Sequence, residues 1–144
     1  MYLVDTDVIS SGAPSREMVS TELAAWMDRN SERLFLSAIT VAEIEGGIAK
    51  IRREGALRKA FRLEQWLETL LHLYSRRVLP FDVPAAGIAG KLSDRARSKG
   101  RSPGFADLGI AATAAAHDLI VLTRNLRHFA PLEIAAHNPF ESLP

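Results

Sequence analysis

Four short apolar runs, continuous rather than alternating, constrain what this chain can fold into more than any other feature. They are Tyr2-Leu3-Val4, Leu34-Phe35-Leu36, Val78-Leu79 with Phe81, and Ile120-Val121-Leu122. A run of that kind suits a strand covered on both faces, as in a parallel sheet. Helical patterns fill the intervals. Met18 to Met27 carries Val19, Leu23 and Trp26 on one stripe, and Leu57 to Tyr74 repeats Phe61, Trp66, Leu67, Leu70 and Leu71 at helical spacing. Asp82 precedes Val83-Pro84 as an N-cap does and opens a helix to about Lys99. Gly100 to Gly104 breaks the pattern, and Ala106 to His117 is an Ala-rich helix. A short last strand is expected at Glu133-Ile134-Ala135. Strands alternating with helices predict an α/β fold, a parallel sheet with helices on both faces.

The length, 144 residues, suits one domain over 1–144. With 47% hydrophobic and 24% charged residues the chain has an ordinary globular composition. It contains no Cys, which removes disulfides, thiolate zinc sites and thiol nucleophiles. Asp5 stands where a signal peptide would need its apolar core, and no run of about 18 apolar residues is present, so a cytoplasmic protein is expected. The net charge of +1 does not mark a nucleic-acid binder, so any RNA contact needs a local basic patch.

Ligands of an open parallel sheet sit outside the carboxyl ends of its strands. Asp5 follows the first strand directly, with Asp7 two residues on, and Thr123 and Asn125 follow the fourth. The helix after the second strand is expected to start near Thr40, with Glu43 in its first turn at the same edge. Thr40 and Glu43 also have capping-box spacing, so that pair reads equally as structure. Asp107 reaches the site edge only if the segment from Ser98 to Phe105 returns the chain there; otherwise it favours its own helix dipole. A carboxylate directly after a buried strand, as at Asp5, is poorly solvated unless a cation meets it. If Asp5, Glu43 and Asp107 converge, each like-charge pair at about 4 Å repels by roughly 4 kcal/mol at an effective dielectric of 20. Either their pKa values rise or a cation neutralises them. An all-oxygen cluster suits Mg²⁺ or Mn²⁺, which clamps a phosphate and activates a water for in-line attack. The four His residues show no ligand spacing and are expected on the surface or in loops.

Four segments together resemble the motifs of PIN-domain nucleases: Leu3 to Ser10, Ser37 to Glu43, Ala106 to Ala114 and Leu122 to Phe129. They stand in the family's order and nearly at its spacing, and they span almost the whole chain. Within the family the chain resembles VapC toxins of toxin–antitoxin pairs and FitB-like proteins, which share the Leu79-Pro80-Phe81-Asp82 stretch. The resemblance implies a three-layer α/β/α fold with about five parallel strands, a homodimer, and Mg²⁺- or Mn²⁺-dependent endoribonuclease activity. It also implies a small DNA-binding antitoxin that covers the site, alone or in a larger assembly. Asp5, Glu43 and Asp107 match the invariant acids: Asp5 and Asp107 as direct metal ligands, Glu43 holding the metal or its water. Asp7 is a supporting position, and Thr6 and Thr123 can hydrogen-bond the acids or their waters. Asn125 departs from the pattern, where many relatives carry Asp; its carboxamide oxygen can coordinate but brings no charge.

Two Arg-rich segments offer RNA contacts: Arg52, Arg53, Arg58, Lys59 and Arg62, then Arg95, Arg97, Lys99 and Arg101, with Arg124 a further candidate. The alternative for these cations is a solvated helix face. Two other functions compete. Asp5-Thr6-Asp7-Val8 resembles the opening motif of haloacid-dehalogenase-like phosphatases, but Thr123-Arg124-Asn125 lacks the acids that family places after its fourth core strand. A catalytically silent relative kept as a protein-binding module is the second.

Overall fold

The computed structural model describes residues 1–14 and 20–144. Each apolar run becomes a strand: β1 (Tyr2–Val4), β2 (Leu34–Ser37), β3 (Val78–Leu79) and β4 (Ile120–Leu122). With β5 (Ala136–His137) they form a sheet of order β3-β2-β1-β4-β5, parallel throughout. Side chains alternate across it, as the strand period of two requires. Tyr2, Val4, Leu34 and Leu36 pack with α2 (Thr21–Arg29), α3 (Ala38–Arg53) and α4 (Leu57–Tyr74) on one face. Leu3 and Val121 pack with α5 (Val83–Ser98), α6 (Phe105–Ala116) and α7 (Leu126–Phe129) on the other. The short α1 (Thr6–Ile9) follows β1 directly. The expected three-layer α/β/α architecture is thus the observed one.

Local chemistry sets most boundaries. Ser20 caps α2, its Oγ accepting from Leu23 N at 3.4 Å, and α2 begins at Thr21; the expected start at Met18, with Val19, lies outside the described residues. Leu23 and Trp26 are buried as the stripe predicts. Asp82 caps α5 by accepting from Ala85 N at 3.1 Å. Asp82→Ala is therefore expected to cost about 1 kcal/mol. A urea midpoint equal to wild type would show that this cap contributes nothing. Where α3 and α6 meet, a Cβ on Gly109 would stand 3.0 Å from Ile39 Cγ1, so any larger residue there makes the Ile39 side chain give way.

Two sequence expectations are corrected. The last strand is not Glu133-Ile134-Ala135. A 3-10 turn over Ala130–Leu132 and a left-handed Glu133 (φ 55°) use up most of that stretch; Ala135 O accepts from Val121 N at 2.9 Å, and the strand itself begins at Ala136. Glu133 is drawn aside by Lys99 and by Arg95 at 3.4 Å. Nor does the helix after β2 start near Thr40: Ser37 Oγ accepts from Ile39 N at 3.0 Å and starts α3 at Ala38. Thr40 is buried within it and Glu43 falls in its second turn, so no capping box forms there.

The strand order also fixes where a ligand can sit. From β1 the chain crosses to β2 and β3 on one side, then returns to β4 and β5 on the other. The reversal lies between β1 and β4, and a crevice opens outside the carboxyl ends of the strands at such a switch point.

Candidate active site

Asp5 stands at that switch point and is only 5% exposed. Its backbone N donates to Leu122 O at 2.9 Å, which seats it between the ends of β1 and β4. Its side chain caps α1: Thr6 N donates to Oδ1 at 2.7 Å, and the Thr123 hydroxyl donates to Oδ2 at 2.7 Å. No cation meets this carboxylate among the described residues; a hydroxyl and an amide do. These two bonds lower its pKa, yet burial outweighs them, and with the charges of Asp7 and Asp107 raises the group from 3.8 to about 6.

Glu43 arrives from α3. It accepts from Thr6 Oγ1 at 3.2 Å. Burial raises its pKa against that bond, and the charges of Asp107 and Asp7 add to the rise. Asp5, directly after β1, and Glu43 of α3 therefore both feel the charge of Asp107 in α6, although the three are distant in sequence. Asp107 gets there because α5 runs from the site edge at Asp82 to the region of Glu133, and residues 101–104 then return without helix or strand to open α6. Among the described residues, no three acids or His are drawn together tightly enough to enclose a metal ion by themselves.

The loop after β4 holds the acids in place. Thr123 Oγ1 accepts from Asn125 N at 3.0 Å while it donates to Asp5. Asp7 Oδ2 accepts from Arg124 N and from Asn125 Nδ2, both at 3.0 Å. Asn125 thus presents its amino group to Asp7, a donation that an Asp in its place could not make.

A PIN domain profile matches residues 2–132. The chain belongs to the PIN-domain family. This PIN domain is 39% identical to "Toxin FitB" of Neisseria gonorrhoeae, covering 97% of this chain and 99% of that protein. It is 39% identical to "VapC ribonuclease Y4jK" of Sinorhizobium fredii, over 98% of this chain and 99% of the relative. The solved structure of FitAB bound to an IR36 DNA fragment superposes with a TM-score of 0.80 at 36% identity, over 97% of this chain and 96% of that one.

Sequence reasoning missed one residue of this PIN domain's acid cluster. His128 Nδ1 lies 3.1 Å from Asp107 Oδ2, at the rim of a cleft of about 450 Å³ that Arg101 and Arg127 also line. His128 has no ligand spacing; the only signal was its place five residues beyond Thr123, in the segment that leaves β4. The Arg-rich segments divide. Arg52 pairs with Glu64, and Arg95 and Lys99 pair with Glu133, away from the acids. Arg58, Lys59 and Arg62 line a separate groove at the start of α4, and Lys59 also borders a cavity of about 290 Å³ beside Thr6 and Glu43. Arg53 and Arg97 are exposed on their helices. No helix among the described residues is long and apolar enough to cross a membrane.

Proposed function

We propose that residues 1–144 act as one PIN domain, a divalent-metal-dependent endoribonuclease that is the toxin of a cytoplasmic toxin–antitoxin pair. The observation that carries this reading is Asp5: a buried carboxylate at the switch point, pushed up to about 6 by burial and by neighbouring acids. An arrangement that works against its own ionisation at neutral pH calls for a cation. The donors fit Mg²⁺ or Mn²⁺, being oxygens without thiolate or a His cluster. Mg²⁺ usually keeps several waters and takes only one or two carboxylates plus substrate phosphate, so a closed protein cage is not required. Asp5 and Asp107 would hold the ion directly and Glu43 would hold it or its water.

When bound, the metal supplies Lewis acidity and lowers the pKa of a coordinated water. The chain's own groups supply the rest. Thr123 and Thr6 orient Asp5 and Glu43, and Asn125 with Arg124 N fixes Asp7. His128 holds Asp107 through its second oxygen. Arg101 in the cleft with Asp107 and Lys59 in the cavity with Glu43 are the cations best placed for RNA phosphates, with Arg124 at the site edge and Arg58 in its separate groove. The similarity to proteins named toxin and VapC ribonuclease supports the reaction class. A relative's assembly on DNA supports a DNA-binding antitoxin as partner. A homodimer, alone or within a larger assembly, completes the proposal.

The test is cleavage of a mixed cellular RNA pool by the purified chain in Mg²⁺, Mn²⁺ or chelator, beside Asp107→Asn. Cleavage that needs metal and disappears in the variant supports the reading. No cleavage, with no effect of metal on melting, would replace it with a silent protein-binding module. Glu43→Gln is expected to lower cleavage by about 10- to 100-fold. Since Ser37 starts α3, that variant should keep wild-type helicity by circular dichroism. Full activity in Glu43→Gln would leave Glu43 with only its bond to Thr6.

A further inference from the structure

Parallel pairing of β4 with β5 sets Leu122 beside His137, so the chain leaves the sheet twice at neighbouring points on the same edge. Two residues beyond Leu122 stands Arg124, and three beyond His137 stands Phe140. The Arg124 guanidinium lies over the Phe140 ring, 3.9 Å from its centroid. Both residues are held independently of this contact. Arg124 N donates to Asp7 Oδ2, which ties its backbone to the acids. Phe140 packs against the core, and its N donates to Asn138 Oδ1 at 3.1 Å inside a turn where Asn138 Nδ2 also donates to Glu141.

Arg124 is exposed, and no carboxylate pairs with its guanidinium among the described residues. A flat cation lies over an aromatic ring on an exposed residue whose backbone N is bonded to Asp7. Unstacked bases of single-stranded RNA are commonly held on guanidinium planes and aromatic rings. We infer that Arg124, backed by Phe140, is a stacking platform for one base of a single-stranded RNA lying beside the scissile phosphate. This rests on the ribonuclease reading and adds to it a specificity-determining pair, Arg124 with Phe140, at one base position. Charge alone would treat every nucleotide alike; a platform makes one position matter.

The test compares wild type, Arg124→Lys and Phe140→Leu on short single-stranded RNAs, each lacking one base. Lys keeps the charge and loses the plane, and the Asp7 bond survives because the backbone makes it. For wild type, removal of the base at one position should raise KM about tenfold with kcat little changed. Arg124→Lys should show that higher KM on the intact strand and no further rise when the base is removed, the non-additivity expected of a direct contact. Phe140→Leu should shift in the same direction. A 2-aminopurine at that position should be quenched by wild type and not by Arg124→Lys. A flat base-removal series in wild type, or Arg124→Lys indistinguishable from it, would overturn the platform. If instead both variants melt lower while cleaving every strand as wild type does, the contact only pins the C-terminal turn, and the inference falls. Failure of wild type to cut any RNA removes the ribonuclease reading itself, a separate result.

Discussion

Asp5→Asn is expected to reduce RNA cleavage on the order of 10³-fold, with no loss of melting temperature in chelator. The two halves test different things. The loss follows from removing the anion whose orientation two donors enforce: Thr6 N to Oδ1 and the Thr123 hydroxyl to Oδ2. Asn is nearly isosteric. Its oxygen keeps the Thr6 bond, and its amino group can donate to Thr123 Oγ1, which has two lone pairs and receives only Asn125 N. The buried site loses an anion that burial and Asp7 oppose, so stability has no reason to fall. Asp107→Asn should behave alike, though its bond to His128 is altered. Wild-type cleavage by Asp5→Asn would move the chemistry elsewhere. A marked fall in melting temperature would make Asp5 structural.

The second large effect is an unusual dependence of stability on pH. Asp5 titrates at 3.8 ordinarily and at about 6 in the folded chain. Between those values the native state binds more protons than the unfolded one, so stability falls as pH rises. The contribution, about 3 kcal/mol, is whole below about 4 and gone above about 6. For a chain of this size that is roughly 10 °C in Tm. Glu43, also raised, acts in the same direction. Exposed Glu133, lowered chiefly by its hydrogen bond from Lys99, opposes them. The clean measurement is therefore the difference between wild type and Asp5→Asn in chelator across that window, where only Asp5 changes. Added Mg²⁺ should raise the wild-type Tm at pH 7.5 and much less at pH 5, where the carboxyl holds its own proton. Parallel pH profiles for the two proteins would show that Asp5 is not raised.

Where the sequence was informative, the reason is local. The apolar runs gave no other sensible reading, and Asp5 and Thr123, each directly following a run, met across adjacent strands. Asp82 was legible as a cap because capping needs only its own turn. Elsewhere two local signals competed and tertiary contacts decided. Ser37 and Thr40 both suit a helix start, but Thr40 is buried and Glu43 is engaged by Thr6, 37 positions away in the chain. The last strand slid to Ala136 because Glu133 answers to Arg95 and Lys99. Neither periodicity nor spacing reveals such partners. His128 and the Arg124–Phe140 stack were invisible for the same cause, since each depends on two segments leaving the sheet side by side.

The hydrogen bond from Thr123 to Asp5 joins residues 118 positions apart. Its donor belongs to the loop after β4, among the last parts of the sheet to be synthesised. A chain emerging from the ribosome carries Asp5 and Asp7 long before it has Thr123 and Asn125 to orient them. Non-local contacts of this kind form late, and synthesis proceeds at only about 5–20 residues per second. The acids are therefore present in the chain before the hydroxyl that fixes the direction of Asp5 exists, and the geometry of the cluster waits on the loop after β4.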